Sequence, residues 1–354
     1  MKKNKKLNIA IIGLGNIGTY LYKYLSANQK ILFKKNNCLP NITFVSAKNK
    51  NKKRGIKISK KKWLNNFLDA TKSKNVDVIV ELIGGAEGAA KKLVFNALKN
   101  KKHVVTANKA LIAKYGDQLS KIAEQNNVNL EFEAAVCGGV PIIRSLKESF
   151  IANKINKVYG IFNGTSNYIL SSMDKENKNF KDVLLNAQKL GFAESNPISD
   201  LNGDDVAAKL KILSSLCFNS FIDDKIHVEG IKHIDKVDID NANKLGYKIK
   251  LLGVSEIIEK KVYQRVHPTL IKKTSYIASI DGVLNAVIVN GTPIGESIIQ
   301  GEGAGPKATT SALISDISSI LRGNIKFPFS ISNNERKKIN YEGIDERFFS
   351  FLLY

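Results

Sequence analysis

Short runs of consecutive apolar residues, several of them closed by glycine, alternate with amphipathic stretches over the first 150 positions. Residues 7–12 (LNIAII) run into Gly13-Leu14-Gly15-Asn16-Ile17-Gly18, followed by helix-like text at 19–27 and a second apolar run at 42–47. Further strand text stands at 76–83, ending in Gly84-Gly85, at 103–106 and at 130–135. Runs that are apolar throughout predict strands buried on both faces, and their alternation with helices predicts a doubly wound parallel sheet. Ligands of such sheets sit beyond the C-terminal strand ends, where Lys109 and the Gly138-Gly139 loop fall. After residue 150 the texture changes. Strand text at 154–162 leads into Asn163-Gly164-Thr165-Ser166-Asn167-Tyr168, then helical stretches at 167–174, 180–190 and 204–218. More strand text follows at 248–257, 261–268 and 274–290, and an apolar-periodic helix at 309–321. The chain therefore reads as an α/β protein. A Rossmann-type domain over 1–150 is completed by a return helix at about 307–325, and a mixed α+β domain covers 151–306.

The length, 354 residues, suits two domains with a substantial core. No apolar run reaches a membrane span. The lysine-rich start superficially resembles a leader, but glycines break its apolar run and no small-residue cleavage site follows, so it reads as a first strand and loop. Three widely spaced cysteines without a C-x-x-C, and four histidines without H-E-x-x-H, argue for a reducing, cytoplasmic setting and against disulfides or a transition metal. The net charge of +23 raises nucleic-acid binding, with a basic cluster at 48–62 (KNKNKKRGIKISKKK). That cluster is lysine-dominated and without aromatic platforms or a recognition-helix pattern, and lysine, asparagine and isoleucine abound along the whole chain. A nucleic-acid partner is set aside on those grounds.

G-x-G-x-x-G alone is a weak signal, but here a strand precedes it and a helix and second strand follow. Gly13, Gly15, Asn16, Ile17 and Gly18 then form a dinucleotide-binding turn at a helix N-terminus. An NAD site usually offers an acid after the second strand; this chain offers Lys48, Lys50, Lys52, Lys53 and Arg54. Cations suit a 2′-phosphate, so NADP(H) is favoured over NAD(H), with Lys48 as first candidate.

The stretch 191–209, GFAESNPISDLNGDDVAAK, gathers four carboxylates and a lysine. Asp205 and Lys209 share a helix face, with Glu194 and Asp200 in the punctuated loop before them. A lysine near carboxylates suits proton exchange with a substrate oxygen, and the acids suit an ammonium group. In isolation a D-x-x-x-K pair is more often a surface ion pair; its companion motifs weigh against that. Asn163–Asn167 admits two readings, a turn with a helix cap or part of a substrate pocket.

These residues together resemble homoserine dehydrogenase, the NAD(P)-dependent enzyme that interconverts homoserine and aspartate 4-semialdehyde. The resemblance rests on GLGNIG (13–18), VELIGG (80–85), TANKAL (106–111), FEAAVCGGVPII (132–143), GIFNGTSNYIL (160–170), LGFAESNPISDLNGDDVAAKL (190–210) and GEGAG (301–305). It implies Lys209 as proton donor and acceptor, Glu194 and Asp205 on the substrate with Asp200 in support, and Lys109 as a second lysine facing substrate and nicotinamide. It implies cofactor contacts from Thr106, Gly191, Glu194 and Gly303, and a sodium-type cation held by Glu133, Val136, Gly138 and Val140. Cys137 stands where the family usually has glycine, so that turn needs ordinary backbone angles or a strained cysteine costing about 1 kcal/mol or more. Cys137 as a nucleophile lacks an adjacent histidine or nucleophile motif. The family further implies a homodimer or higher homo-oligomer and a place in threonine, methionine and isoleucine biosynthesis. Residues 331–354 read as a polar linker and the first strand of a C-terminal ligand-sensing ACT domain. Two rivals stand beside this reading: an NADP oxidoreductase acting on another small aldehyde or alcohol, and a catalytically idle dinucleotide sensor or nucleic-acid binder.

Overall fold

The computed structural model describes residues 5–342. The chain divides into two compact units, residues 5–147 with Ala304–Arg336, and Glu148–Gly303 with residues 337–342. The first unit opens with β1 (Lys6–Ile12), α1 (Asn16–Ala27), α2 (Gln29–Asn36) and β2 (Leu39–Ser46). It continues through α3 (Asp69–Lys72), β3 (Val78–Glu81), α4 (Ala89–Lys99), β4 (His103–Thr106), α5 (Lys109–Gln125), β5 (Leu130–Glu131) and α6 (Ile142–Arg144). Among the described residues its strands form one parallel sheet, ordered β2-β1-β3-β4-β5. All four residues of β3 and the last four of β1 are buried, as strands covered on both faces must be.

The second unit runs through β6 (Lys154–Ile161), α7 (Gly164–Glu176), α8 (Phe180–Lys189), α9 (Ile198–Asn202), α10 (Asp204–Phe218), β7 (His227–Val228) and α11 (Lys236–Lys244). Then come β8 (Tyr247–Ile258), β9 (Lys261–Lys272), β10 (Leu284–Thr292) and β11 (Gly295–Glu302). The chain next returns to the first unit with α12 (Pro306–Leu321), and β12 (Asn340–Glu342) belongs to the second. The second sheet is ordered β11-β10-β6-β8-β9-β12, with β7 beside β9. The first core joins Ile9, Ile11, Leu25, Val80 and Val105 to Leu313 and Ile317 of α12. The second gathers Ile161, Leu252, Ile271, Ala286 and Ile288.

Several elements differ from the sequence expectation. The strand expected at 130–135 stops at Glu131, and Glu133–Ala135 form a 3₁₀ turn. There the Glu133 N–H leaves the ladder for the carboxylate of Asp316 (3.0 Å). The strand expected from 274 begins at Leu284, because Tyr276–Ser279 is a 3₁₀ turn pinned by Lys250 to the Ile280 carbonyl (2.7 Å). β11 has no counterpart in the sequence expectation: it is an edge strand with no buried residue, so its apolar signal is weak. The return helix ends at Leu321, just before Gly323 at φ 80°. The stretch from 331 is not a free linker: Arg336 pairs with Asp117 (2.6 Å), and β12 extends β9 while Tyr341 bonds Ser220 (2.9 Å). The apolar run expected as an ACT strand lies outside the described residues.

Candidate active site

In the first unit the strand order reverses between β1 and β3, the place where open α/β sheets take ligands. The loop after β1 is built on glycines for want of space. A Cβ at Gly13 (φ 111°) would sit 2.3 Å from the Leu82 carbonyl oxygen, and one at Gly18 2.0 Å from that of Gly13. Gly15 differs, since nothing lies within 4 Å of where its Cβ would be. It precedes α1, whose first N–H groups form an anion-attracting terminus. A pocket of about 260 Å³ opens here, lined by residues 15–18 and 81–84 and by Ala107 and Asn108.

The wall of this pocket rests on a carboxylate that the sequence motifs do not single out. Glu81, fully buried at the end of β3, accepts from the N–H groups of Ile83 (2.7 Å) and Gly84 (2.9 Å) and from the Thr106 hydroxyl (2.5 Å). Thr106 in turn accepts from the Asn108 N–H (3.0 Å). Asn108 caps α5 through the Leu111 N–H (3.1 Å) and donates to the Gly85 carbonyl (2.7 Å). Thr106 is thus a support of the pocket wall, and Lys109 begins α5, half-buried, immediately after that cap. The available signal for Glu81 is an acid in an otherwise apolar strand.

A second pocket of about 330 Å³ flanks the same glycine loop, lined by Leu14, Gly15 and Asn16 together with Lys23, Lys52 and Lys53. Arg54 organises this basic loop. It donates to the carbonyls of Leu14 (2.9 Å), Lys52 (2.7 Å) and Asn49 (2.5 Å) and lies over the Trp63 ring (5.6 Å to the centroid). Lys48, the first candidate for a 2′-phosphate, stands exposed where the loop begins.

In the second unit α10 starts after Gly203 (φ 88°), with Asp204 and Asp205 in its first turn, where carboxylates are favoured. Lys209, one turn on, donates from Nζ to Asp205 Oδ2 (2.7 Å) and to the Phe162 carbonyl (2.6 Å). The two side chains are 10% and 6% exposed, so this is not a surface ion pair. Asn163 caps a helix and also reaches two carboxylates. Its Oδ1 caps α7 by accepting from the Ser166 N–H (2.7 Å), while its Nδ2 donates to Asp200 (2.7 Å) and Asp205 (2.9 Å). One amide thus joins two carboxylates, and burial together with the Asp205 charge pushes the Asp200 carboxyl up. Asp200, Asp205 and Lys209 therefore come together. Glu194 stands apart from this hydrogen-bonded set: it is exposed on the loop after Gly191 (φ 76°), and its carbonyl accepts from Gln188 (3.1 Å). A further buried amide, Asn285, also donates to the Phe162 carbonyl (3.0 Å).

The turn expected to hold a cation lies in the first unit. Glu133 is buried and accepts from the N–H groups of Ile143 (3.0 Å) and Arg144 (2.6 Å). Burial pushes its carboxyl up to about 7. Cys137 adopts the left-handed φ of 55°, followed by Gly138 at 49°, so the cysteine takes the strained option and keeps a glycine-like turn. Val136 and Val140 are buried in that turn. Among the described residues no group of three or more His, Cys, Asp and Glu is placed to hold a metal. Among the same residues no helix is long and apolar enough to cross a membrane.

A family model described as homoserine dehydrogenase matches residues 141–318, and one described as the NAD binding domain of homoserine dehydrogenase matches 13–133. Homoserine dehydrogenase of Neisseria gonorrhoeae is 42% identical over 319 residues, covering 90% of this chain and 73% of that protein. The Pseudomonas aeruginosa enzyme is 39% identical over 325 residues, covering 92% of this chain and 74% of its own. The structure of a homoserine dehydrogenase from Thiobacillus denitrificans superposes with a TM-score of 0.91 at 37% identity, over 96% of this chain and 80% of that one.

Proposed function

The chain belongs to the homoserine dehydrogenase family, NAD(P)-dependent oxidoreductases interconverting L-homoserine and aspartate 4-semialdehyde, and on that premise we propose that Lys209 carries the proton transfer. The observation that carries this is the buried Lys209–Asp205 pair, aimed by the Phe162 carbonyl and joined to Asp200 through Asn163. The open space at Gly15 before α1 fits the pyrophosphate of a dinucleotide. Gly13, Gly15, Asn16, Ile17 and Gly18 would hold it, with Thr106, Gly191, Glu194 and Gly303 assigned to the cofactor from the family resemblance. When bound, the nicotinamide supplies or accepts the hydride.

In the reductive direction the Lys209 ammonium stabilises negative charge growing on the aldehyde oxygen and gives it a proton from Nζ. In the oxidative direction the neutral amine accepts the homoserine hydroxyl proton, so oxidation rises with pH. Asp205, 2.7 Å from Nζ, fixes the amine and steadies the ammonium that forms. Asp200, Asp205 and Glu194 are assigned to the substrate ammonium, and Lys109 to its carboxylate. The basic loop supports a preference for NADP(H), with the 2′-phosphate taken by Lys48, Lys52 and Lys53. The left-handed Cys137 turn beside Glu133 supports a sodium-type cation on Glu133, Val136, Gly138 and Val140. The partly exposed edge strand β11 supports a homodimer. Threonine, methionine and isoleucine biosynthesis in the cytoplasm is the setting that goes with this reaction.

The test is NADPH oxidation with aspartate 4-semialdehyde, repeated with NADH, for wild type and Lys209→Ala. The variant loses at least about 10²-fold in kcat, the usual contribution of a positioned acid–base group. Near-normal turnover in a folded Lys209→Ala protein would sink the assignment.

A further inference from the structure

The Phe162 carbonyl that aims Lys209 is shared. Asn285, on β10 and 0% exposed, donates to the same oxygen from Nδ2 (3.0 Å). Its other amide atom, Oδ1, is buried without a hydrogen-bond partner. The amide also lies against Gly303. A Cβ built there would come within 2.2 Å of Asn285 Cγ and Nδ2 and 2.3 Å of Oδ1. No flexible chain end can give way, because the amide is packed on one side and bonded on the other. Gly303, Asn285, the Phe162 carbonyl and Lys209 Nζ therefore form one continuous line of contacts.

We propose that Asn285 is a positioning residue for Lys209: it fixes the carbonyl that aims Nζ, and residue 303 is glycine because the Asn285 amide occupies the space of its side chain. This rests on Lys209 as the proton-transfer group. A carbonyl oxygen that accepts two donors holds each less firmly than one that serves a single donor. Asn285 thereby loosens the grip of that carbonyl on the ammonium and favours release of its proton. Two carboxylates also face Lys209, Asp205 from its own helix and Asp200 from α9. Both are left in place by changes at 285, so a change there reads the carbonyl alone.

The experiment compares wild type, Asn285→Ala, Gly303→Ala and the double variant in homoserine oxidation across pH, with NADP⁺ affinity measured separately. Asn285→Ala lowers kcat about 10-fold or more while leaving the KM for homoserine and NADP⁺ affinity within about 2-fold, the pattern of a misaimed catalytic group. It also moves the rising limb of the pH profile to higher pH, which loosened packing alone would not do. Gly303→Ala lowers kcat by itself, yet costs under about 2-fold more in kcat once Asn285 is alanine, because the space it needs has been made, while any loss through its assigned cofactor contact falls on NADP⁺ affinity. Additive losses, or a wild-type kcat and pH limb in Asn285→Ala, overturn the proposal. Should Asn285→Ala not fold, the pH limb of Gly303→Ala, which removes nothing from the core, decides in the same sense. A Lys209→Ala enzyme that still turns over overturns the parent assignment and this one with it. A dead Lys209→Ala beside wild-type-like Asn285 variants overturns only this one.

Discussion

Replacing Asn163 by aspartate changes one nitrogen to oxygen and tests whether the amide is what lets Asp200 and Asp205 sit side by side. The Oδ1 that caps α7 is retained, so the helix start survives. The Nδ2 that bonds Asp200 at 2.7 Å and Asp205 at 2.9 Å becomes an oxygen. If ionised, the introduced carboxylate would face each of the two native ones at a cost of roughly 6 kcal/mol per pair, taking an effective dielectric of 20 and about 2.8 Å. Holding it protonated at pH 7 costs only about 4 kcal/mol, or 1.36 kcal/mol for each pH unit above its unfolded pKa near 3.9. Protonation is therefore the cheaper state, and its cost is the destabilisation.

The sign follows from linkage. An acid whose pKa is raised in the folded state favours folding below its unfolded pKa and loses that advantage as pH rises towards the folded value. Urea unfolding of Asn163→Asp and wild type between pH 5 and 8 should give curves that diverge. The gap starts near 1.5 kcal/mol at pH 5 and widens by about 1.4 kcal/mol per unit to about 4 kcal/mol at pH 7. Parallel curves with a constant gap would refute the reasoning, because they would mean that the introduced acid ionises freely and that the two native carboxylates are not held together by the amide.

Other consequences are simpler. Burial holds the Glu133 carboxyl near 7, above its ordinary 4.5, so in sodium-free buffer its contribution to stability is full below 4.5 and falls as pH rises through 7. Thermal melts in choline chloride should show that fall, sodium chloride should reverse it, and Glu133→Gln should respond to neither. Arg54→Ala frees the loop 49–54 and should raise KM for NADPH several-fold more than KM for NADH; equal effects would detach the loop from the 2′-phosphate. Lys250→Met takes one bond from Asp281, which keeps Lys175 at 2.9 Å, and strips the Ile280 carbonyl and Asn167 Oδ1 of their ammonium donor, so it should cost about 3 kcal/mol in urea unfolding with kcat and the pH profile unchanged.

What is legible in the sequence follows burial. Strands β1, β3 and β4 are readable because a parallel sheet covered on both faces demands unbroken apolar text. β11 and β12 are not, because an edge strand keeps one side polar and a three-residue strand carries no period. At the site, Asp205 and Lys209 are readable from i,i+4 spacing at a helix start, and the burial that separates them from a surface pair is not. Asn163 and Asn285 are hidden for a different reason. Asparagine is abundant throughout this chain, so its identity alone carries no signal, and its value here lies in distances to residues 37 to 123 positions away. Glu81 has a local signal in its apolar strand, but its role requires seeing the two N–H groups folded back onto it.

The second unit sets two buried lysines in closely similar surroundings, and the contrast argues for which one does chemistry. Lys209 bonds a carboxylate and a main-chain carbonyl, Asp205 and Phe162. Lys250 bonds Asp281 (2.7 Å), the Ile280 carbonyl (2.7 Å) and Asn167 Oδ1 (3.0 Å). By donor and acceptor type alone the two are nearly interchangeable. They differ in access and in what their partners hold. The Lys250 side chain is 2% exposed and its three acceptors match the three protons of an ammonium, so it staples β8 to α7 and the turn before β10. Its desolvation pulls the Lys250 pKa down, and its side chain is almost wholly covered. The Lys209 side chain is 10% exposed, and its carboxylate is tied through the Asn163 amide to a second acid, Asp200. A lysine fixed by a carboxylate, less completely covered and set beside a further acid suits a substrate that brings both an oxygen to be protonated and an ammonium to be held. That pairing, rather than a buried lysine as such, is why the catalytic assignment rests on residue 209 and not on residue 250.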